Sequence, residues 1–375
     1  MGFGASTVGR MDVTMPSVNS EFWAGKRIFL TGHTGFKGAW LSQILCDFGA
    51  QVSGFSLEPN TQPSMFNVLR LADRLQHKIG DICEREAFET AILEASPDII
   101  FHMAAQPIVS EGYIDPMRTL ETNLIGTANL LETLRNSGAQ IPVLVISSDK
   151  CYLNEGDGTA FLEQHPLGGR DPYSASKAAT EIIVNSYRDS FFSKGRGIRL
   201  ASVRAGNVVG GGDWCVNRLV PDLARAFASN RTALIRSPEA IRPWQHVLEP
   251  LVGYLMCAEA ISVDESFAQP WNFGPPPEDV HSVSKVVECM QAHWPGPTNV
   301  SQSDKIQTWA EQNILSIDPM KAHAQLGWKT IFCIDECIGW TADWYHSYYS
   351  KPSSAVDLTQ KQIQAYLSLS SKELG

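Results

Sequence analysis

The sequence predicts an α/β fold with a doubly wound parallel sheet and a smaller C-terminal lobe. Through the first half of the 375 residues, short runs rich in β-branched residues alternate with longer amphipathic stretches. This alternation is typical of βαβ units in a parallel sheet. Past residue 210 the pattern loosens, and tryptophan, proline and arginine become frequent. We expect this second segment to form a substrate-binding lobe that shapes a ligand cleft.

Six strands and two helices of special interest are expected in the first half. The strands are predicted at 27–31, at 51–55, in a short segment ending near residue 80, and at 98–103, 143–147 and 199–204. The runs at 98–103 and 143–147 are continuously apolar, which suits strands buried on both faces. The two helices are predicted at 118–135 and 174–191. In the first of these helices, apolar residues recur at helical spacing: Leu120, Leu124, Leu131 and Leu134, with Ile125 and Leu130 widening the stripe.

Composition and charge narrow the function classes. The formal net charge is −10, and no run of lysine or arginine occurs, so nucleic acid and anionic membrane are not expected as partners. No apolar stretch approaches the roughly 20 residues that a membrane span requires, and residues 1–20 lack the apolar core of a signal peptide. The eight cysteines contain no CxxC pair. We therefore expect reduced thiols, no metal site and a cytoplasmic location.

A glycine-rich turn joins the first strand to the first long helix. Gly32, Gly35 and Gly38 are spaced GxxGxxG. The first two let the backbone approach a pyrophosphate at the helix N-terminus, and the third lets helix and strand pack closely. The turn therefore predicts a Rossmann-type sheet that binds a dinucleotide. Its expected contact residues are Gly32, Thr34, Gly35, Phe36, Lys37 and Gly38.

The residues after the second and third strands bear on which dinucleotide binds. The stretch after the second strand, Ser56-Leu57-Glu58, offers neither an acid at the expected spot for the ribose hydroxyls nor an arginine that could hold a 2′-phosphate. The missing arginine favours NAD over NADP, and Ser56 is an expected cofactor contact. Asp81 and Ile82 follow the third strand, where a carboxylate could hold the adenine amino group. The alternative is that Asp81 is a strand-end side chain facing solvent.

Ser148, Tyr173 and Lys177 form the candidate catalytic group. Ser148 follows a strand predicted to be buried, so it is expected at the carboxyl edge of the sheet, where ligands bind in such folds. Tyr173 and Lys177 are four residues apart near the start of a helix and project from the same face. A neighbouring lysine lowers the pKa of a tyrosine, so that the phenolate can act as a base.

Six segments together resemble the extended short-chain dehydrogenase/reductase family: TGHTGFKG, HMAAQ, SSDKCY, DPYSASK, RAGNVVGGGDW and RPWQHV. The resemblance extends over residues 22–344 and is narrower to the nucleotide-sugar 4,6-dehydratases, in particular the branch acting on CDP-glucose. It implies a two-lobed subunit, a tightly held NAD regenerated in each turnover, and a nucleotide-sugar substrate. It also implies a homodimer built on a four-helix bundle from helices 118–135 and 174–191, with a tetramer as a further possibility. The apolar stripes of these two helices could equally belong to the core of a monomer.

The resemblance implies a role for each catalytic residue. Tyr173 takes the proton of the sugar C4 hydroxyl, Ser148 hydrogen-bonds the same oxygen, and Lys177 holds the nicotinamide ribose. Hydride passes from C4 to NAD and returns at C6 after water has left. Asp149 is then expected to protonate the departing C6 hydroxyl, and Lys150 is the candidate base at C5.

The role of Lys150 stays open. Relatives acting on dTDP-glucose have Asp-Glu where this chain has Asp149-Lys150, and a carboxylate is the more natural base. Lys150 could instead stabilise an enolate while another group or water moves the proton, or it could be a surface charge.

The remaining expected contacts are carried over from the same resemblance. Substrate contacts are predicted at Gln106, Ser148, Asn207, Arg218, Leu219, Arg242 and His246, with packing as the alternative for His246. Further cofactor contacts are predicted at Ala104, Ala105, Gln106, Asn123, Ser147 and Arg204.

Four segments are expected along the chain. Residues 1–20 form a flexible extension, 21–205 the NAD-binding domain with the catalytic residues, 206–350 mainly the substrate-binding lobe with some segments returning to the first domain, and 351–375 a polar tail.

Three rival functions remain. One is a C4-epimerase, which needs no acid or base after Ser148. The others are a dehydratase of another nucleotide hexose, such as dTDP-glucose or GDP-mannose, and a non-catalytic NAD-binding regulator.

Overall fold

The computed structural model describes residues 17–193, 197–303 and 314–372. The expected flexible extension, residues 1–20, lies outside the described residues as far as position 16. From Asn19 onward the chain packs against the rest of the protein: the backbone N–H of Asn19 donates a hydrogen bond to Glu259 Oε1 at 3.0 Å.

The centre of the molecule is a parallel sheet of seven strands in the order β12-β7-β5-β4-β1-β2-β3. The strands of the described chain are β1 Arg27–Thr31, β2 Gln51–Ser56, β3 Gln76–Ile79, β4 Ile99–His102, β5 Pro142–Ile146, β6 Ala160–Phe161, β7 Arg199–Ala205, β8 Val208–Val209, β9 Ala233–Ile235, β10 Ile241–Arg242, β11 Gln245–His246, β12 Pro270–Phe273, β13 His281–Ser282, β14 Val300–Gln302 and β15 Ser316–Ile317. The doubly wound α/β fold is confirmed, and all six expected strands are present.

Helices cover both faces of this sheet. They are α1 Ser20–Trp23, α2 Phe36–Asp47, α3 Met65–Val68, α4 Arg85–Ala95, α5 Val109–Ile114, α6 Pro116–Leu120, α7 Gly126–Ser137, α8 Pro172–Tyr187, α9 Leu219–Ala228, α10 Leu248–Val263, α11 Val283–His293, α12 Met320–Leu326, α13 Ile334–Ser350 and α14 Ala355–Lys372. A π-helical turn, Glu121–Ile125, joins α6 to α7, so the helix expected at 118–135 is continuous but contains a local widening. The helix expected at 174–191 is α8 followed by a second π-helical turn, Arg188–Phe192.

The two largest apolar clusters of the described chain lie one on each side of the sheet. On one side, α2 and α10 bury residues such as Trp40 and Leu255. On the other side, α4, α7 and α8 bury residues such as Phe88, Leu130 and Val184. Strands β4 and β5 are buried along their whole length, as their continuous apolar runs predict.

The strand order reverses between β1 and β4, which fixes where a ligand can bind. The chain runs outward from β1 through β2 to β3 and then crosses to β4 on the opposite side of β1. The helices that follow β1 and β4 therefore diverge, and a crevice opens at the carboxyl ends of these two strands. The glycine-rich turn after β1 lies at this crevice.

The second half of the chain also contributes to the sheet. Strand β12 pairs in parallel with β7 at the edge of the sheet. The segment expected as a polar tail forms α14, in which Tyr366 is buried and donates a hydrogen bond to Glu249. In addition, Trp344 Nε1 donates to Thr359 Oγ1 at 2.9 Å. Within the described chain, no helix is long and apolar enough to cross a membrane.

Candidate active site

The glycine-rich turn packs against the chain that follows β4. Gly32 has φ +75, and a Cβ built on it would lie 2.7 Å from the backbone nitrogen of Ala104. A Cβ on Gly38 would lie 2.1 Å from the carbonyl oxygen of Gly32. Neither position can accept a side chain without a shift of backbone, so glycine at both positions is what lets the turn pack this closely.

The first turn of α2 leaves its backbone donors available. Its N-cap residue is Gly35, and no side chain caps the helix. The N–H groups at the start of a helix have no partner within the helix, and together with the helix dipole they favour an anion. Beside them, Thr34 Oγ1 donates to the carbonyl oxygen of Leu57 at 2.9 Å and lies 2.8 Å from Ser56 Oγ. This hydroxyl pair fixes the end of β2 against the turn.

A hydroxyl group also ties the end of β4 to β1. Thr31 Oγ1 accepts hydrogen bonds from the backbone N–H groups of Met103 and Ala104, both at 3.0 Å, and lies 2.9 Å from His102 Nδ1. His102 is buried, and burial lowers its pKa to about 3. The neutral imidazole therefore acts as a structural link at the floor of the crevice.

One large cavity of about 580 Å³ extends from this turn to the lobe. It is lined by most of the residues that the sequence predicts as contacts. From the cofactor group these are Gly32, Thr34, Gly35, Phe36, Lys37, Gly38, Ser56, Asp81, Ile82, Ala104, Ala105 and Ser147; from the catalytic group Ser148, Asp149, Lys150, Tyr173 and Lys177; and from the substrate group Asn207, Arg218, Leu219 and Arg242. The sheet edge and the lobe thus enclose a single space.

Helix α8 carries Tyr173 and Lys177 into the cavity. The helix begins at Pro172, after the N-cap residue Asp171, whose side chain accepts a hydrogen bond from Ser174 N at 2.9 Å. Tyr173 and Lys177 are buried, and both line this cavity. Burial raises the pKa of Tyr173 to about 12, while the hydroxyl of Ser148 acts in the opposite direction. Burial lowers the pKa of Lys177 to about 8, and the charge of Glu181 counteracts it.

Asp149 is a buried carboxyl group at the centre of the site. Ser148 Oγ donates to Asp149 Oδ1 at 2.9 Å. In the described part of the chain, Asp149 Oδ2 has no hydrogen-bond partner. Burial raises the pKa of Asp149, although the charge of Lys150 acts against this shift. A carboxyl group in this position is suited to hold a proton and donate it.

Lys37 adds a second cation at the cofactor end of the cavity. Its Nζ donates to the hydroxyl of Tyr254 at 2.8 Å. Burial lowers the pKa of Lys37 to about 7, and the charges of Lys177 and Arg218 lower it further. The contact joins the first turn of α2 to α10.

The lobe contributes arginines to the opposite wall. Arg218 Nη1 donates to Asp213 Oδ2 at 2.7 Å. Burial would lower the pKa of Arg218, but the charge of Asp213 outweighs it and holds the pKa above its ordinary value. Arg242 on β10 is buried and also lines the cavity, as does Asn207, two residues after β7. The two guanidinium groups and the side-chain amide of Asn207 can donate hydrogen bonds to the oxygens of a diphosphate.

Four predicted contact residues lie behind the cavity wall instead. Gln106 and Asn123 bind each other, because Gln106 N donates to Asn123 Oδ1 at 2.8 Å. His246 is buried among aromatic rings, including those of Trp40 and Phe332. Arg204 is buried in an ion pair with Glu181. Gln106, Asn123 and Arg204 bind groups distant in sequence, and His246 packs among aromatic rings. Position at a strand end alone therefore does not identify a ligand contact.

Several cavity residues were not singled out from the sequence. They include Asn60, Thr122, Asp213, Cys215, Asp222 and Arg236. Asp213 could have been recognised, because it lies between Asn207 and Arg218 in the segment RAGNVVGGGDW. The others carry no local pattern that separates them from ordinary surface residues.

The fold and the cavity together define a dinucleotide-binding protein of the extended short-chain dehydrogenase/reductase class, as the sequence motifs imply. The uncapped helix, the closed glycine turn and the neighbouring Ser56 and Asp81 fit a dinucleotide. The family model described as GDP-mannose 4,6 dehydratase matches residues 29–340. The chain therefore belongs to this family.

Curated relatives cover most of the chain. It is 42% identical over 360 residues to CDP-glucose 4,6-dehydratase of Salmonella typhimurium, a match that covers 95% of this chain and 100% of that protein. It is 24% identical over 335 residues to dTDP-glucose 4,6-dehydratase of Xanthomonas campestris pv. campestris, covering 84% of this chain and 92% of that protein.

Solved structures support the fold. A dTDP-glucose 4,6-dehydratase from Bacillus anthracis in complex with NAD aligns with a TM-score of 0.69 at 20% identity, covering 85% of this chain and 96% of that one. A UDP-glucose-4-epimerase from Stenotrophomonas maltophila with bound NAD aligns with a TM-score of 0.74 at 18% identity, covering 87% and 99%. Since dehydratases and epimerases share this fold, the reaction has to be argued from the side chains in the site.

Proposed function

We propose that this protein is a hydro-lyase that converts CDP-glucose to CDP-4-keto-6-deoxyglucose, with a tightly bound NAD that is regenerated in each turnover. The observation that carries the proposal is the position of Asp149, a buried carboxyl group beside Ser148 in the cavity that Tyr173 and Lys177 line. A C4-epimerase would need no such acid. The name of the relative that is 42% identical supports the choice of nucleotide and sugar.

The cofactor half of the cavity supports NAD. The glycine turn and the first turn of α2 would hold the pyrophosphate, and Ser56 would face the adenosine ribose. No arginine follows β2 at Leu57 and Glu58 to bind a 2′-phosphate. NAD supplies the hydride acceptor for C4 and the hydride donor for C6.

Oxidation at C4 is assigned to the helix α8 residues. Tyr173 removes the proton from the C4 hydroxyl, and Ser148 hydrogen-bonds the same oxygen. Lys177 holds the nicotinamide ribose. Burial raises the pKa of Tyr173 to about 12, so the lowering expected from Lys177 is not seen; the hydroxyl of Ser148 and the charge of Arg218 are the groups that favour its phenolate form. The resulting ketone acidifies the proton on C5, so that oxidation has to precede elimination.

Elimination is assigned to the turn after β5. Lys150 takes the proton from C5, the bond between C6 and its oxygen breaks, and Asp149 donates the proton with which the oxygen leaves as water. Burial raises the pKa of Asp149, which favours the protonated form that can donate this proton. Lys150 then returns its proton to C5 as hydride is delivered to C6, which gives the 6-deoxy product. In a second version of this step, Lys150 stabilises the enolate while water carries the proton. On the lobe side, Arg218, Arg242 and Asn207 would bind the diphosphate.

A homodimer is part of the proposal. Met117, Ile125 and Ile182 on the α6–α8 side of the molecule are about half exposed or more, at 62%, 49% and 55%. Apolar side chains grouped on neighbouring helices favour a helix-to-helix contact with a second copy. A tetramer would need a further surface.

Eight cysteines without a disulfide favour a cytoplasmic location.

The decisive experiment is turnover by the purified protein with no NAD added. Separate samples receive CDP-glucose, dTDP-glucose, UDP-glucose or GDP-mannose, and mass spectrometry measures the nucleotide sugar. We expect loss of one water from CDP-glucose, with the other sugars accepted poorly. Loss of water from a different sugar would change the assigned substrate. Interconversion of hexose epimers without loss of water would refute the dehydratase proposal.

A further inference from the structure

A buried ion pair behind the cavity links its two catalytic segments. Arg204 Nη2 lies 2.7 Å from Glu181 Oε2, and the exposed fractions of the two side chains are 1% and 0%. Burial would raise the pKa of Glu181, but Arg204 holds it below its ordinary value, so both groups are charged. Moving two charges from water into the protein interior costs free energy, and their mutual attraction barely offsets this cost. Their burial therefore suggests a role other than stability.

One end of this pair reaches the helix that carries Lys177. Glu181 follows Lys177 by four residues on α8, so the two side chains lie on the same helix face. Ser202 Oγ on β7 donates to Glu181 Oε2 at 2.8 Å and fixes the carboxylate from the sheet side. The charge of Glu181 acts on Lys177 and opposes the loss of its proton.

The other end reaches the turn that carries Asp149 and Lys150. Arg204 Nη1 donates to the hydroxyl of Tyr152 at 2.7 Å and to the carbonyl oxygen of Glu163 at 3.0 Å. The Tyr152 hydroxyl in turn donates to Asn272 Oδ1 at 2.7 Å. Because Tyr152 is two residues after Lys150, these bonds anchor the carboxyl end of the turn to the sheet.

Asn272 closes the arrangement at the edge of the sheet. Its backbone N–H donates to Glu163 Oε1 at 2.9 Å, and its Nδ2 donates to the carbonyl oxygen of Phe161 at 2.7 Å. The ring of Tyr152 stacks on Phe161 with centroids 4.9 Å apart. The hydroxyl of Tyr152 is thus bonded on both sides and has no freedom to move with the turn.

We infer that Glu181, Arg204 and Tyr152 are positioning residues that hold the Tyr173–Lys177 helix and the Asp149–Lys150 turn in one fixed arrangement. None of the three lines the cavity, so they act on the reaction through the catalytic groups and not through contact with the sugar. The inference rests on the proposed function, because it assigns the helix to oxidation and the turn to elimination.

Tyr152→Phe is the sharpest test, because it removes one hydroxyl and keeps the stacked ring. Tyr187→Phe is the matched control: Tyr187 is the last residue of α8, and its hydroxyl donates to Glu132 Oε2 at 3.2 Å, away from the cavity. We expect kcat to fall about tenfold in Tyr152→Phe with KM within twofold of the wild-type value, since small misplacements of catalytic groups affect kcat strongly. Tyr187→Phe should retain the wild-type values.

Isotope effects distinguish positioning from general loss of structure. A step that becomes slower expresses more of its isotope effect. With sugar deuterated at C5, the isotope effect on kcat should rise in Tyr152→Phe, whereas that for sugar deuterated at C4 should not. Arg204→Lys keeps the charge but cannot bond Glu181 and Tyr152 together, so both isotope effects should rise.

Two results would overturn the inference. One is a kcat of Tyr152→Phe within twofold of that of Tyr187→Phe. The other is a lower kcat with both isotope effects unchanged, which is what a smaller fraction of folded enzyme would give. The wild-type protein with CDP-glucose tests the proposed function in the same assay. If it accepts a different nucleotide hexose, the comparison is made with that sugar, and if it accepts none, both proposals fail.

Discussion

The Cα of Gly38 lies so close to the carbonyl oxygen of Gly32 that a Cβ there would be 2.1 Å from it. Gly38 belongs to the first turn of α2, and Gly32 follows β1. The contact joins backbone to backbone, so no side chain can move away to make room. The proximity of α2 to the end of β1 therefore depends on this one glycine.

Gly38→Ala should destabilise the protein even without a ligand, because the helix must move away from the turn. Overpacking of this kind typically costs about 1–3 kcal/mol. Gly35→Ala is the matched control, since a Cβ on Gly35 would lie 3.3 Å from the same oxygen. Differential scanning calorimetry of the ligand-free proteins should show a lower melting temperature for Gly38→Ala and a much smaller decrease for Gly35→Ala. Equal melting temperatures for the two variants would contradict the steric argument.

Tyr173→Phe should abolish turnover without unfolding the protein. The change removes the proposed base for the C4 hydroxyl, and general base catalysis contributes about 10²–10⁴-fold to a rate. Steady-state product formation, followed by mass spectrometry, measures the loss. Tyr187→Phe on the same helix provides the control for removal of a hydroxyl. Full activity in Tyr173→Phe would exclude Tyr173 as the base.

The sheet could be predicted because most of its strands are short, apolar and separated by helices. Strands β4 and β5 are recognisable from residue type alone, since both of their faces are buried. Strand β12 was not predicted. It contains four residues, Pro270–Phe273, and begins with proline, which in an isolated sequence reads as a loop. Its partner β7 lies some seventy residues earlier, and only the tertiary fold brings the two together.

The candidate site was predictable where local motifs carry the chemistry. The glycine turn and the Tyr173–Lys177 pair lie at the cavity because their spacing fixes their positions on a turn and a helix. Arg204 has the same kind of strand-end position, yet it faces away from the cavity. The reason is Glu181, whose carboxylate binds it inside the protein. Because Glu181 and Arg204 are 23 residues apart, their pairing produces no periodic pattern in the sequence.

Asp149→Asn should separate the two halves of the proposed reaction. The amide keeps the size of the side chain but cannot donate a proton as an acid, so oxidation at C4 should continue while elimination slows by about 10²-fold or more. Rapid mixing with CDP-glucose should show a rise in absorbance at the wavelength of reduced nicotinamide without loss of water from the sugar. Wild-type rates of water loss in Asp149→Asn would contradict its role as the acid.

Ile182→Glu should convert the proposed dimer to a monomer. Ile182 lies on α8 and is 55% exposed, so a charge there would be buried in a helix-to-helix contact without a partner. Leu93→Glu on α4 is the control, because Leu93 has the same exposed fraction of 55% on a different surface. Light scattering coupled to size-exclusion chromatography measures the mass. A monomeric wild-type protein, or an unchanged mass for Ile182→Glu, would reject this interface.

Glu259 should make the stability of the protein depend on pH. It is buried on α10, where it accepts hydrogen bonds from Trp23 Nε1 at 2.6 Å and from the backbone of Asn19. Burial raises its pKa to about 7 from an ordinary value of 4.5, although the bond from Trp23 acts in the opposite direction. Since the folded-state pKa lies above the unfolded one, the contribution of this group is fully present below pH 4.5 and is lost as the pH rises through 7.

Glu259→Gln isolates this contribution, because glutamine accepts the same hydrogen bonds and does not titrate. Between pH 5 and pH 8, the free energy of unfolding of the wild-type protein should fall by about 2–3 kcal/mol relative to that of the variant. Urea denaturation at the two pH values measures the difference, with the other titrating groups common to both proteins. A wild-type protein that gained stability relative to Glu259→Gln at pH 8 would show that the carboxylate is the form that the fold prefers. In that case the bonds from Trp23 and Asn19, and not burial, would dominate at this site.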